Sequence, residues 1–559
     1  MFRTNRSAAL ALTLMAALAL AGCDRKTTDP VKPADPTTPV PTPRTSSDAG
    51  AKPGAVADAG HAEDGIAWMK GDVDVAFAKA RAENKPVFMY WGAVWCPPCN
   101  QVKATIFNRQ DFIEQAKFFV PVYIDGDSPS AQAMGTRFKV SGYPTMVLFR
   151  PDGSEIVRLP GEVDGEKYMQ VLTAGMAATH PIEATLKTAL AGGQLTPADW
   201  RLLAYYSFDT GNANLVPKAQ VPATLRKLAA NVPADAAPDS AARLSLKALA
   251  ATASDKNDKQ PLDVAQREQA LTRLNGVLAD PKAARENFDL LVWYAGDIAP
   301  AVAPTGTPER APLVAAWDKA LRSLANDASL SAVDRIGATD ARLQLATLDQ
   351  KDDGKPQLPQ ALVDDVRTQA AAADKAAKTG YERQAVISEA AGILADAGLL
   401  DESDAMLTAE LKRSHSPYYF MLGLASNARK RGDVKGDIDW HQKAWDASEG
   451  GATRLQWGVS YVNTLLKYAP EDKPRIEATV TKILAELDPV PATFNGRSER
   501  SIDVLGTRLT KWSTEQKQPA VLKAAKAQLD SVCAKLPKGD ERTTCETAFK
   551  PAAKDGARA

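Results

Sequence analysis

The sequence predicts an α/β domain, a central mixed sheet flanked by helices, followed by a large all-α region of helical repeats or an irregular bundle. Three observations predict it. Between Gly65 and about Ala178, short apolar runs of strand length alternate with stretches of helical spacing. From Pro181 onward the composition shifts to Ala, Leu, Lys, Asp and Gln, strand-like alternation disappears, and Gly, Asp and Pro mark the breaks. Between one strand run and one helix stands Trp95-Cys96-Pro97-Pro98-Cys99, two thiols two residues apart.

The elements of residues 65–178 follow in order. Asp72 is placed to cap a helix whose apolar positions include Val75, Ala76, Phe77 and Ala80, and Lys85-Pro86 ends it. Residues 87–91 read as a buried strand, and a helix runs from Asn100 toward Ile106. A second helix is expected over 110–117, and residues 118–124 form a second buried strand ending at Asp125. A helix near 131–138 leads to a third strand over 145–149. Pro151-Asp152-Gly153 is a turn, 155–159 its hairpin partner, and a helix over 162–178 closes the unit.

The N-terminus reads as a targeting segment. Arg3 and Arg6 precede an apolar stretch, 8–20, too short to span a bilayer. It ends in Leu20-Ala21-Gly22-Cys23, which resembles a bacterial lipobox, and the resemblance implies that Cys23 becomes a lipidated N-terminus. An ordinary signal peptide with an incidental Cys is the alternative. The expected location is the periplasmic side of a bacterial membrane, with Asp24 favouring the inner membrane and the outer left open. Residues 24–64, rich in Pro, Thr and Ala, are expected to be a disordered tether.

Lys plus Arg equals Asp plus Glu at 68 each, and no basic stripe stands out, which argues against nucleic acid as a partner. The four His residues, His61, His180, His415 and His441, are scattered, so no metal and no cofactor is expected. Of five cysteines, Cys23 is assigned to lipid and Cys96 with Cys99 to redox chemistry. Cys533 and Cys545 are expected to form a structural disulfide, two free thiols being the alternative in an exported chain.

In the C-terminal region, residues 391–398 line up with 425–432, so that Gly398 and Gly432 fall 34 residues apart, with Pro417 between them. Around 385–450 this resembles tetratricopeptide hairpins. The other candidate breaks, Gly211 and Gly296-Asp297, do not keep the period, and an irregular bundle remains open. Trp440, Trp445 and Trp457 are read as core packing between helices, an aromatic ligand groove being the other reading.

Residues from Lys85 to Leu172 resemble the thioredoxin family, and within it the periplasmic C-terminal domain of DsbD-type thiol:disulfide interchange proteins. The likeness rests on Lys85-Pro86-Val87, the Cys96-Pro97-Pro98-Cys99 motif, Thr105-Ile106-Phe107, Val140-Ser141-Gly142-Tyr143-Pro144-Thr145, Asp152-Gly153-Ser154-Glu155 and Gly161. It implies a thioredoxin fold, a cis peptide before Pro144, and Cys96 as the more exposed, attacking thiol with Cys99 resolving. It also implies a client groove flanked by Trp95, Tyr143 and Pro144. Two positions depart from the family pattern. Tyr90 stands where cytoplasmic thioredoxins bury an Asp, and Pro121 aligns with the usual Lys. Asp125 and Glu83 are candidates for handling the Cys99 proton, and both are read more simply as surface carboxylates.

The expected function is a membrane-anchored protein disulfide reductase, with disulfide-bearing client proteins and a separate membrane electron donor as partners. An oxidase or isomerase of the same fold, and an envelope scaffold in which the helical region does the work, are the competing readings.

Overall fold

The computed structural model describes residues 65–549, apart from 72, 129, 141, 162–163, 209–214, 256–261 and 351–354. The expectations for residues 1–64, among them Cys23, Asp24, the tether and His61, and those for Asp72 and Gly211, lie outside the described residues.

The N-terminal unit runs β1 (Met69–Lys70), α1 (Val73–Glu83), β2 (Val87–Gly92), α2 (Pro97–Val102), α3 (Gln110–Gln115), β3 (Val120–Asp125), α4 (Ala131–Arg137), β4 (Thr145–Phe149), β5 (Glu155–Leu159) and α5 (Gly165–Met176). The sheet order is β1-β3-β2-β4-β5. β1 and β2 pair with β3 in parallel, while β4 and β5 run antiparallel, so the sheet is mixed. β2 is central and fully buried. Its side chains divide by the strand period of two: Val87, Met89 and Trp91 pack with α1 and α4, whereas Phe88 and Tyr90 enter the core on the other face. β1, two residues long, is the strand that the sequence reading did not separate from its flanks.

The core on the Phe88–Tyr90 face does not stop at α5. It continues without a gap through Ile182, Leu186, Trp200, Leu203, Leu225 and Leu228 to Leu244 and Ala248. The Ser207 amide donates to the Arg158 carbonyl (3.2 Å) on the outer edge of β5, and the Tyr206 hydroxyl donates to Glu155 (2.8 Å). The composition change near residue 180 is therefore not a break in packing.

The remainder is helical. The helix Gly380–Asp396 pairs with Leu400–Glu410, and Pro417–Lys430 with Val434–Ala447. Gly398 and Gly432 end the first helix of each hairpin with φ of 77° and 76°, a conformation in which a side chain is strained. The 34-residue spacing in the sequence is thus a spacing of equivalent turns. Gly296-Asp297, expected as a break, instead sits in the first turn of the helix Ala295–Val302, and the interruption falls at Tyr294 (φ −115°, ψ 8°). Cys533 and Cys545 are joined in a disulfide that links Pro519–Cys533 to Asp540–Thr547.

Candidate redox site

α2 begins on two prolines, which have no amide hydrogens, so the first helix-end donor available is the amide of Cys99. It donates to Cys96 Sγ at 3.2 Å, with Cys96 as the N-cap residue. The buried Asn100 side chain ties the loop down by donating to the carbonyls of Val94 and Cys96, both at 2.9 Å. Cys96 and Cys99 form a disulfide. The Cys96 sulfur thus carries a backbone amide donor at the start of the helix.

The Tyr143–Pro144 peptide is cis. Tyr143 and Trp95 both pack against Ala93, Cys96 and Cys99, which brings together the residues expected to flank the groove. Gly126 leaves the room Tyr143 occupies, since a Cβ there would lie 2.4 Å from its ring. Burial raises the Tyr143 hydroxyl above its ordinary range, so it stays protonated near neutral pH.

Tyr90, in the position of the missing acid, is enclosed by aromatic rings, with Phe107 at 4.9 Å and Tyr123 at 5.4 Å. Gly92 is required beside it, because an added Cβ would meet the Tyr90 hydroxyl at 2.3 Å. Asp125 accepts the Asp127 amide (3.1 Å), and Glu83 pairs with Lys85 (3.0 Å) at the end of α1 that leads into β2, away from the dithiol. Among the described residues no group of three or more His, Cys, Asp or Glu is placed to hold a metal ion. His441 is buried against Asp437 (2.9 Å).

Cys96 was expected to be accessible. It is only 3% exposed, and Cys99 is fully buried. The cover comes from helices that follow some 300 residues later. Gln384 donates to the Trp95 carbonyl (3.0 Å), and the His415 ring meets the Val94 carbonyl (2.9 Å). Trp95 is stacked by Tyr419 (6.2 Å between ring centroids) and met edge-on by Trp457 (6.0 Å). Asp127 accepts from Trp95 Nε1 (2.9 Å) and Thr453 Oγ1 (2.6 Å), and pairs with the Arg497 guanidinium. That guanidinium lies 5.2 Å from the Trp95 ring and 5.6 Å from the Tyr143 ring. Nothing local in the sequence marks Asp127, Gln384, Thr453 or Arg497. Trp457, read as core packing, is indeed buried, but one edge faces the redox site.

The fold and the cysteine pair define a thioredoxin-type unit. The family model of the thioredoxin-like domain matches residues 73–175, and through that stretch the chain belongs to this family. The thiol:disulfide interchange protein DsbD of Pseudomonas fluorescens is 31% identical over 123 residues, 21% of this chain and 21% of that protein. A thioredoxin of Mycolicibacterium smegmatis is 32% identical over 78 residues, 14% of this chain and 67% of that protein. A solved thioredoxin from Thermus thermophilus aligns at 26% identity, over 20% of this chain and 92% of its own, with a TM-score of 0.18. The chain thus spans about a fifth of the length of the DsbD it matches.

Proposed function

We propose that the chain is a membrane-anchored, periplasmic thiol–disulfide oxidoreductase that works as a protein disulfide reductase. The observation that carries this reading is the Cys96–Cys99 disulfide beside the cis Tyr143–Pro144 peptide. Cys96 is the attacking thiol and Cys99 the resolving one. The Cys96 thiolate attacks one sulfur of a client disulfide, the client S–S bond breaks, and its other sulfur leaves and takes a proton. Cys99 then attacks the Cys96 sulfur and releases the second client thiol. The client gains two electrons and two protons, and the chain ends in its disulfide form. A membrane dithiol donor returns it to the dithiol by the reverse exchange.

The likeness to proteins named for thiol:disulfide interchange supports the exchange itself, and the reducing direction rests on the absence of His within the motif. Anchoring rests on the Cys23 lipobox, with Asp24 favouring the inner membrane. Trp95, Tyr143 and Pro144 hold the client, with the Tyr143 backbone free to pair with an extended strand.

Reduced, desalted chain is mixed with insulin, and new insulin thiols are counted. The expected result is one insulin disulfide opened per chain, and none with Cys96→Ser. Faster oxidation of a reduced client by the disulfide form, with no insulin reduction, reverses the direction to an oxidase.

A further inference from the structure

We infer that the helices between Gly380 and Glu515 form a releasable cap over the dithiol, latched by Arg497 on Asp127, which admits small disulfides and holds back folded protein clients until the latch opens. This rests on the thiol–disulfide reading of Cys96 and Cys99.

The cap contacts converge on one spot. Attack on a protein disulfide requires the client's sulfurs to line up with Cys96 Sγ, so the chain around those sulfurs needs the space beside Trp95. That space is taken on every side named above: Tyr419 and Trp457 on the indole, Gln384 and His415 on the two carbonyls just before Cys96, and Arg497 across both Trp95 and Tyr143. The cis-proline side is less enclosed. Gly142 is exposed and Tyr143 and Pro144 are only partly buried.

The cap is held by Trp95 packing against the apolar core of the helices and by a set of polar bonds. Asp127 is the hub, accepting from Trp95 of the thioredoxin-like unit and from Thr453 and Arg497 of the helices. The Arg497 amide also donates to Gln132 Oε1 (2.7 Å), whose Nε2 in turn donates to the Gly126 carbonyl (2.7 Å). Polar groups in such a contact find water as an alternative partner when they separate, whereas an apolar core does not. Only Trp95 of the thioredoxin-like unit enters the apolar core of these helices, so opening the cap exposes one indole and its ring partners while the polar groups around Asp127 turn to water.

The test uses the reduced full chain and two probes, insulin and 2-hydroxyethyl disulfide. Arg497→Ala is expected to raise the rate with insulin about tenfold, the loss of one partly buried ion pair, while the small disulfide reacts within about twofold of the unaltered rate. Arg497→Lys restores the slow insulin rate. Thr453→Ala, which removes one neutral bond to Asp127, raises it about threefold. Should Arg497→Ala fail to fold, Thr453→Ala carries the test alone, with the same selective rise in the insulin rate expected. An unchanged insulin rate in the variants that fold overturns the cap. So does a fall in both rates with Arg497→Ala, which makes Arg497 an electrostatic activator of the thiolate. If neither disulfide reacts with any form of the chain, the dithiol reading itself is overturned and the cap with it.

Discussion

The thioredoxin-like unit is gripped on two sides by the helices that follow it, and the two grips differ in kind. Toward residues 182–248 the contact is apolar and continuous, with Tyr168, Leu172, Leu186, Trp200 and Leu228 in one core. Toward residues 380–515 the contact is a cluster of hydrogen bonds, rings and one ion pair around Trp95 and Asp127. Burial of apolar area is non-directional and is lost only by exposing that area to water. A polar contact keeps its geometry but offers less net free energy. The first grip makes one folding unit of two sequence regions. The second positions a surface over the chemistry.

The largest effect should come from the apolar side. Trp200 is 2% exposed, and Trp200→Ala is expected to cost about 3–5 kcal/mol and to lower the unfolding of sheet and flanking helices together in one transition. Separate transitions for residues 65–178 and the following helices would erase the distinction between the two grips.

Next comes the buttress of the latch. The helix Gly496–Glu515, which carries Arg497, packs so closely on the C-terminal end that a Cβ on Gly506 would meet the Ala548 carbonyl at 2.5 Å. The Cys533–Cys545 disulfide secures that end, and Cys533→Ser with Cys545→Ser is expected to cost about 2–3 kcal/mol by chemical denaturation. Equal stability of the double variant contradicts a structural role for this bridge.

A smaller effect measures the latch itself. In a double-mutant cycle, Asp127→Asn and Arg497→Ala should show a coupling of about 1–2 kcal/mol, and additive effects would make the pair incidental.

The smallest effect is a pH dependence confined to the helical side. Burial, with Asp340 and Asp396 nearby, raises the Glu389 carboxyl to about 8, and burial beside Asp396 raises Asp340 to about 7, with Lys430 opposing. Both bind a proton more tightly folded than unfolded. They therefore stabilise the fold at low pH, and that stability is lost as pH rises from the unfolded values near 4 through the folded ones. Glu389→Gln is expected to flatten this fall and to raise the melting temperature by about 2 °C above pH 8. A steeper fall in the variant contradicts the assignment.

Much of the site is legible in the sequence because its parts are local. Cys96, the two prolines and Cys99 lie in four consecutive positions, and β4 and β5 are read to the residue because alternation and the Pro151-Asp152-Gly153 turn fix them. β1 escapes because two residues show no period. The cap escapes for a different reason. Asp127 and Arg497 are 370 positions apart, and neither differs in type or pattern from the many solvated charges around it. Trp95, expected to flank a client groove, also meets the chain's own Tyr419 and Trp457, a contact no local pattern announces.

The central claim is that Cys96 exchanges bonds with a client disulfide and Cys99 resolves the product. The most direct measurement is peptide mapping of reduced Cys99→Ser after its single exchange with insulin. One insulin chain linked to Cys96 is predicted, and none when Cys96→Ser is added. Linkage found only at Cys533 or Cys545, or no linkage at all, contradicts it.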